Sequence, residues 1–299
     1  MVRSSDVLAR VGLALLNVPA PGTGLLRLGR LKTALVFYLL ALLALVFLRA
    51  APPVPFALLA IVAMLAIVVP LTAIVLTWRQ SRERLESRPW YARWHAVLAA
   101  ALAMLIVRVV IGDPNKVAYR SFYMPSEAMA PSLPKHDRFI AYMGSLGPLR
   151  RGDLVLVRTP ADFIYVKRVA AMGGDHFAMR AGVVILNGRP VLQRPLGQEK
   201  HLDAFDEAPA RRLAERFPGE TSGHEIYDLG PSAGDDVPEQ LIPAGHLILL
   251  GDNRDRSADS RYSIEEFGLG GAVQEADIIG RPYYSSWGST RPLGTPLAP

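Results

Sequence analysis

A long apolar stretch in the first third of the chain constrains its fold most. From Ala34 to Thr77, 44 residues carry a single charge, that of Arg49. A helix that spans a membrane needs about 20 apolar residues, so this stretch is long enough for two spans. Proline cannot continue a helix, and three prolines divide the stretch near its middle: Pro52, Pro53 and Pro55. The sequence therefore predicts two membrane-spanning helices, over about residues 33–48 and 56–77.

A third apolar stretch, over about residues 90–111, is a further candidate span. Its apolar core is short, and Arg108 interrupts it near the end. The aromatic residues at its start are typical of a membrane–water interface: Trp90, Tyr91 and Trp94. We expect a third transmembrane helix here. Its marginal length leaves one alternative, a buried helix of a soluble domain.

Basic residues flank these stretches and predict their orientation. One group precedes the first helix and consists of Arg3, Arg10, Arg27, Arg30 and Lys32. Another lies between the second and third stretches and consists of Arg79, Arg82, Arg84, Arg88 and Arg93. Because loops rich in Lys and Arg stay in the cytoplasm, residues 1–32 are expected inside. Everything after Ile111 is then outside, on the periplasmic or outer face of the inner (cytoplasmic) membrane. The sequence thus predicts a multi-pass protein in contact with membrane lipid.

Composition excludes several kinds of chemistry. Without cysteine the chain has no disulfide, no thiolate metal ligand and no cysteine nucleophile. Its six histidines form no H-E-x-x-H motif and no close pair, so we expect neither a metal nor a cofactor. The net charge of +6 would also suit nucleic acid binding. Since much of the excess borders the apolar stretches, we assign it to membrane topology and expect no nucleic acid partner.

From about residue 117 the pattern changes to short apolar runs separated by Gly and Pro. Runs of about four to eight residues predict strands, and they lie at Arg138–Tyr142, Asp153–Arg158, Phe163–Ala170, Val183–Leu186 and His246–Leu250. Residues 193–243 are richer in charge, Gly and Pro and are interpreted as an insertion. A helical period is suggested only at Ala208–Arg216. Residues 117–290 are therefore predicted to form a mostly β extracytoplasmic domain, with a frayed tail over residues 291–299.

A lysine in one of these runs is a candidate catalytic group. Alternate residues of a strand share a face, so Phe163, Tyr165 and Lys167 point to the same side. Burial among apolar neighbours lowers the pKa of a lysine amine, which would let Lys167 act as a general base near neutral pH. The strand alone leaves one alternative open, in which Lys167 extends into water from a sheet edge.

Two further segments carry hydroxyls and charges. Residues 124–133 read Met-Pro-Ser-Glu-Ala-Met-Ala-Pro-Ser-Leu and include Ser126 and Ser132. Residues 251–261 read Gly-Asp-Asn-Arg-Asp-Arg-Ser-Ala-Asp-Ser-Arg, with six charges and two hydroxyls. A solvated loop is one interpretation of the second segment. Interleaved acids and arginines more often form a hydrogen-bonded cluster that fixes a site.

Together these segments resemble type I signal peptidases, the membrane-bound Ser–Lys serine proteases of the S26 family. Four blocks occur in the family's order: 125–133 is similar to the nucleophile box, 151–157 to the strand box, 165–169 with 173–175 to the lysine box, and 251–261 to the last box. The resemblance covers about residues 121–286. It implies a mostly β catalytic domain with an inserted subdomain, preceded by an α-helical transmembrane region.

The resemblance also implies roles for individual residues. Lys167 corresponds to the general base, Ser257 to the hydroxyl that orients it, and Ser126 to the side-chain donor of the oxyanion hole. Four residues of the last box are implied in support, with a salt bridge between the last two: Asp252, Arg254, Asp259 and Arg261.

A substrate groove is expected beside residues 126–130, where it would bind an extended chain as an added strand. Met129 and Pro131 are the candidate lining residues. The resemblance implies signal peptides of exported preproteins as the partners of this groove.

One position departs from the family pattern. The nucleophile position, just before the Met of the first box, is Ala128, which has no hydroxyl and cannot form an acyl-enzyme. Loss of a member of such a catalytic unit lowers kcat by about 10⁶. Three explanations stay open: an engineered Ser→Ala change, a natural paralogue without catalysis, and takeover by Ser126. Residues 126 and 128 of an extended segment lie about 6.6–7 Å apart, so takeover ranks last.

Two functional hypotheses follow. The first is a signal peptidase I family serine endopeptidase that removes signal peptides from exported preproteins, inactive or impaired as written because of Ala128. The second is a non-catalytic, membrane-anchored receptor or regulator that binds exported chains.

Overall fold

A computed structural model describes residues 4–50, 54–81, 89–111, 118–159, 161–200 and 209–297. The chain divides into two units between Tyr119 and Arg120. The described residues of the first unit are mainly helical, and those of the second form mainly strands. The change of sequence pattern near residue 117 therefore coincides with a structural boundary.

The helices of the first unit follow the apolar stretches. They are α1 (Ser4–Leu15), α2 (Thr23–Arg27), α3 (Leu31–Ala50), α4 (Phe56–Gln80) and α5 (Trp94–Ile111), with a 3₁₀ turn at Trp90–Ala92 before α5. Helices α3 and α4 lie over the two stretches predicted to be helical and extend each of them by two or three residues at one or both ends. The short helices α1 and α2 were not predicted.

Two of these helices are long and apolar enough to cross a membrane. They are α4 over its full 25 residues and α3 over the 18 residues Leu31–Leu48. The third candidate, α5, is apolar over the shorter range Trp94–Val109. A span of about 20 residues is typical, so a crossing by α5 stays a prediction.

The described residues of the second unit form three sheets. The strands are β1 (Tyr119–Tyr123), β2 (Arg138–Tyr142), β3 (Leu154–Arg158), β4 (Ile164–Met172), β5 (His176–Arg180), β6 (Val183–Leu186), β7 (Arg189–Pro190), β8 (Leu192–Lys200), β9 (Pro209–Arg216), β10 (His224–Asp228), β11 (Val237–Leu241), β12 (His246–Leu250), β13 (Val273–Gln274) and β14 (Ile278–Ser285). The largest sheet has the order β1-β2-β14-β3-β4-β12-β13, the second has the order β11-β5-β6-β7, and the third has the order β10-β9-β8. The five predicted strands are all present, which supports the prediction of a mostly β domain.

The helical period suggested at Ala208–Arg216 is wrong, because Pro209–Arg216 is strand β9. Its Ala, Arg, Leu and Glu residues favour helix, but β9 is the central strand of its sheet. It pairs antiparallel with β8 on one side and with β10 on the other. Pairing on both edges outweighs a local preference that is worth only fractions of a kcal/mol per residue.

The predicted frayed tail is also wrong over its described part. The amide of Gly294 donates to the carbonyl of Ser285, and the amide of Leu297 donates to that of Tyr283, at 3.0 and 2.9 Å. These bonds attach the tail to β14. The Gly and Pro residues of the tail did not predict these bonds, because the acceptors lie on β14 and not in the tail itself.

Strand β4 places a free edge at the centre of the large sheet. It pairs with β3 along Ile164–Arg168, whereas β12 pairs with it only from Arg168 onward. The second edge of residues 164–167 therefore has no strand partner within the described part of the chain. Because side chains alternate along a strand, Lys167 and Arg168 point to opposite faces of the sheet.

Candidate active site

The Lys167 side chain lies at the centre of the site. It is 3% exposed, and its Nζ donates a 2.7 Å hydrogen bond to Oγ of Ser257, which is 4% exposed. The lysine is therefore buried and within reach of Ser257, as predicted from the sequence. The alternative in which Lys167 extends into water is wrong, because the side chain is buried and bonded to Ser257 of the last box.

Burial also changes the acid–base chemistry of this lysine. Removal from water is the largest effect and lowers the pKa of Lys167 from 10.5 to about 8. The charge of Asp259 opposes this shift, and that of Arg261 adds to it. Near neutral pH the neutral amine is thus far more populated than in an exposed lysine. A neutral amine has the lone pair that a general base requires.

Ala128 lies beside this pair. Its carbonyl oxygen accepts a 3.2 Å hydrogen bond from the amide of Asn253 in the last box. A Cβ placed on Gly251 would overlap Ser257 Oγ and would lie 2.6 Å from the Ala128 oxygen. Only glycine fits between the two, so the first and last boxes are in close contact around Ser257. The side chain of Ala128, which lies beside the Lys167–Ser257 pair, is only a methyl group.

Ser126 is exposed, and the segment that carries it turns. The amide of Ala130 donates to the carbonyl of Glu127 at 2.9 Å, and the amide of Leu133 donates to that of Met129 at 2.7 Å. The separation of 6.6–7 Å expected between residues 126 and 128 assumed an extended backbone, so it does not apply. The role of Ser126 stays a prediction.

A groove of about 410 Å³ passes along the site. Its lining comes from the segment around the first box, from β2, from β4 and from the last box: Phe122, Tyr123, Met124, Pro125, Ser126, Ala128, Phe139, Phe163, Ile164, Tyr165, Val166, Lys167, Arg256 and Ala258. Most of these side chains are apolar. Such a groove suits an apolar peptide that is held in place by a few polar groups.

The prediction that Met129 lines the groove is wrong. Its side chain is fully buried in a core cluster with Leu133 and Phe139, among others. The turn at residues 126–130 directs Met129 into the core while Ala128 faces the groove. Pro131 is half-buried, and its place in the groove stays a prediction.

Asp259 and Arg261 form the predicted salt bridge. The guanidinium Nε and Nη2 contact the two carboxylate oxygens at 2.9 Å each, and both side chains are at most 1% exposed. Asp259 also accepts a 2.9 Å bond from the amide of Gly251. Burial opposes ionisation, but the Arg261 charge and these bonds keep the pKa of Asp259 below its usual range. The pair thus holds the backbone next to Ser257.

Asp252 and Arg254 have partners that the sequence analysis did not identify. Arg168 binds Asp252 through Nε and Nη2 at 2.7 and 2.6 Å and also donates to Ser132 Oγ at 3.1 Å. Arg254 binds Glu215, a residue of the insertion. Arg168, a second cation next to Lys167 in an apolar strand, was a sequence signal that a buried acidic partner must exist. For Glu215 we find no local sequence signal.

The lowered pKa of Lys167 makes stability depend on pH. Between about pH 8 and 10.5 the unfolded chain holds a proton on this lysine that the folded chain lacks, so folding becomes more favourable as pH rises. We expect the stability of the parent relative to Lys167→Met to rise by about 3 kcal/mol over this window. Denaturation of both proteins at several pH values tests this. Lys135→Met, at an exposed lysine, should follow the parent, and a Lys167→Met curve parallel to the parent would contradict the prediction.

A buried and an exposed arginine–aspartate pair of this unit should differ in their contribution to stability. Arg261→Ala leaves the carboxylate of Asp259 buried without its partner, which costs about 3–5 kcal/mol. Arg158→Ala removes a pair with Asp162 whose side chains are 51% and 78% exposed, and it should cost less than about 1 kcal/mol. Thermal unfolding of both variants measures the difference. Equal losses would show that the last box is a solvated loop.

Comparison with known proteins agrees with this geometry. The family model described as signal peptidase, peptidase S26, matches residues 91–287. Signal peptidase I of Pseudomonas fluorescens is 28% identical over 213 residues, which cover 62% of this chain and 68% of that protein. Signal peptidase I T of Bacillus subtilis (strain 168) is 26% identical over 194 residues, 64% of this chain and 82% of that protein.

A third relative aligns over a larger share of both proteins. Signal peptidase I of Bacillus caldolyticus is 25% identical over 211 residues, which cover 70% of this chain and 94% of that protein. The matched region contains the first box, Lys167 and the last box, which are the segments that meet at the groove. The family model spans well over half of the sequence, and the chain belongs to the signal peptidase family, peptidase S26.

Proposed function

We propose that this chain acts on exported preproteins as a signal peptidase I family serine endopeptidase, with Lys167 as general base. One observation carries the proposal: a buried Lys167–Ser257 pair faces an apolar groove beside Ala128. Burying a lysine costs folding free energy and lowers its pKa. A group with such a shifted pKa that lies in a groove is typical of a catalytic site.

The groove supports binding of an extended peptide. The free edge of β4 at residues 164–167 offers backbone donors and acceptors to an added strand. Side chains of that strand would alternate between solvent and the apolar lining around Phe122, Phe139 and Val166. The signal peptide of a preprotein has the apolar character that this lining requires.

A serine at position 128 would complete a Ser–Lys mechanism. Its Oγ would attack the carbonyl carbon of the scissile bond while its proton passes to Nζ of Lys167. The hydroxyl of Ser126 would donate to the oxyanion, and Lys167 would return the proton to the leaving amine. Water, deprotonated by Lys167, would then release the acyl group. With Ala128 no acyl-enzyme forms, so we propose that the chain as written is inactive or strongly impaired.

A second function is favoured by Ala128 itself. A chain that keeps the groove, Lys167 and the last box but lacks the hydroxyl still binds an extended peptide. Such a protein would be a membrane-anchored receptor or regulator of exported chains. The two functions predict different results when the hydroxyl is restored.

Restoring that hydroxyl tests the proposal. We expect Ala128→Ser to cleave a model preprotein at least about 10³-fold faster than the parent chain, since one oxygen completes the pair with Lys167. Cleavage is followed by gel mobility and mass spectrometry of the new amino terminus. Ala130→Ser adds the same oxygen two residues away and should gain nothing, and Lys167→Met should abolish the gain of Ala128→Ser.

Other outcomes of this experiment point elsewhere. If the parent already cleaves well and Ser126→Ala abolishes that cleavage, Ser126 is the nucleophile. If Ala128→Ser binds the preprotein but does not cleave it, the receptor function is the better description.

We also propose three membrane crossings by α3, α4 and α5, with the amino terminus in the cytoplasm and the second unit outside. Support comes from the basic residues before α3 and between α4 and α5. Alkaline phosphatase fused after Pro299 should be active, because it folds only outside the cytoplasm. Fusion after Gln80, at the cytoplasmic end of α4, should be inactive. Inactivity of both fusions would show that α5 does not cross, and activity after Gln80 but not after Pro299 would show that the orientation is inverted.

A further inference from the structure

A buried charge network lies outside the groove and connects the insertion with the last box. Its six ionisable side chains are each at most 9% exposed: Arg168, Glu215, Glu220, His224, Asp252 and Arg254. The proposed mechanism uses none of them. Buried charges are costly unless they are fully paired, so their arrangement calls for a physical reason.

Glu215, on strand β9 of the insertion, is at the centre of this network. Arg254 binds both of its carboxylate oxygens, one of them at 3.0 Å from Nη1. Gln193 on β8 donates to Oε1 at 2.8 Å, and Nε2 of His224 on β10 lies 3.1 Å from Oε2. All three strands of the insertion sheet thus contribute to holding one arginine of the last box.

Both ring nitrogens of His224 face carboxylates in this arrangement. Its Nδ1 lies 2.9 Å from Glu220, and its Nε2 faces Glu215. An ionised carboxylate only accepts hydrogen bonds, so the doubly protonated imidazolium is the form of His224 that bonds to both of them. Burial and the charge of Arg168 disfavour the imidazolium, but the bonds to Glu215 and Glu220 outweigh them and raise the pKa of His224, with support from Asp252. Three cations then balance three anions.

Two connections lead from this network to Lys167. Arg254 Nε donates to the carbonyl of Gly251 at 3.2 Å, and Gly251 is the residue in close contact with Ser257. The backbone of Tyr227 on β10 also bonds to the last box, donating to Asp252 at 2.8 Å and accepting from Arg254 at 2.9 Å. Ser257 in turn accepts the bond from Lys167.

We propose that Glu215 and His224 are positioning residues, through which the insertion holds Arg254 and Gly251 so that Ser257 keeps the Lys167 amine buried. The inference rests on the proposed function of Lys167 as the general base. Without the Glu215 carboxylate the Arg254 guanidinium is buried with no counter-ion and must move toward water. The last box would then loosen around Ser257, and water would reach the amine.

Titration of Lys167 tests this without any cleavage assay. The full-length protein in detergent is labelled with ¹³Cε-lysine, and the signal of Lys167 among the five lysines is assigned by its loss in Lys167→Arg. We expect a midpoint near 8 in the parent and a rise of at least about one pH unit in Glu215→Gln, toward the value near 10.4 of an exposed lysine. His224→Gln should shift the midpoint in the same direction.

Two control variants separate positioning from general loosening. Glu225→Gln makes the same change on β10, at a carboxylate that is 39% exposed and pairs with Arg212, and it should leave the midpoint unchanged. Ile242→Val removes a methyl group from a core cluster of this unit and lowers stability while leaving every member of the network in place. It should also leave the midpoint unchanged.

The outcomes distinguish this inference from the proposed function. A parent midpoint near 10.4 would overturn the role of Lys167 as base, and the inference with it. A low parent midpoint that is unchanged in Glu215→Gln and His224→Gln would overturn the inference alone. An equal rise in Ile242→Val would also overturn it, because any loss of stability would then suffice. If Glu215→Gln does not fold, His224→Gln, which keeps the Glu215–Arg254 pair, decides.

Discussion

The removal of one lysine amine from water is the constraint on which the rest of the catalytic unit depends. Lys167 is a base only while its charged form is disfavoured, and burial is the largest contribution to that. An amine on a flexible side chain escapes to solvent unless neighbours cover it on every side. The site is therefore built as a cover around Nζ: the Ser257 hydroxyl is in hydrogen-bond contact, and the first box lies next to the last box.

The cover is polar, and it is held by charges that pair among themselves. Asp259 with Arg261 and Asp252 with Arg168 are buried pairs with two hydrogen bonds each, and both hold backbone of the last box. Such pairs contribute little net stability, because desolvation offsets their attraction. Their directional bonds instead select one geometry for the loop. This explains how eleven residues without regular strand or helix form a defined wall beside Lys167.

Ala128 shows that the protein keeps this geometry without the group for which the geometry is suited. A methyl group and a hydroxymethyl group differ by one oxygen, so neither the fold nor the charge pairs depend on which is present. The contacts that hold Ala128 in place come from its backbone carbonyl, which bonds to Asn253. Structure and nucleophile are thus separable here, which is why the proposed peptide binding does not require catalysis.

The sequence by itself determined the two long apolar helices, the mostly β character after residue 117 and the strand that carries Lys167, while that strand alone left the burial of the lysine open. These properties depend on local periodicity and on the neighbours of each residue along the chain. It did not determine the inward direction of Met129, the strand at residues 209–216 or the pairing of Glu215 with Arg254. Those depend on turns and on partners from other sheets, and Glu215 lies 39 residues from Arg254 along the chain. Only the tertiary structure decides which distant charges meet, because the cost of burying one charge is balanced by whichever opposite charge the fold brings next to it.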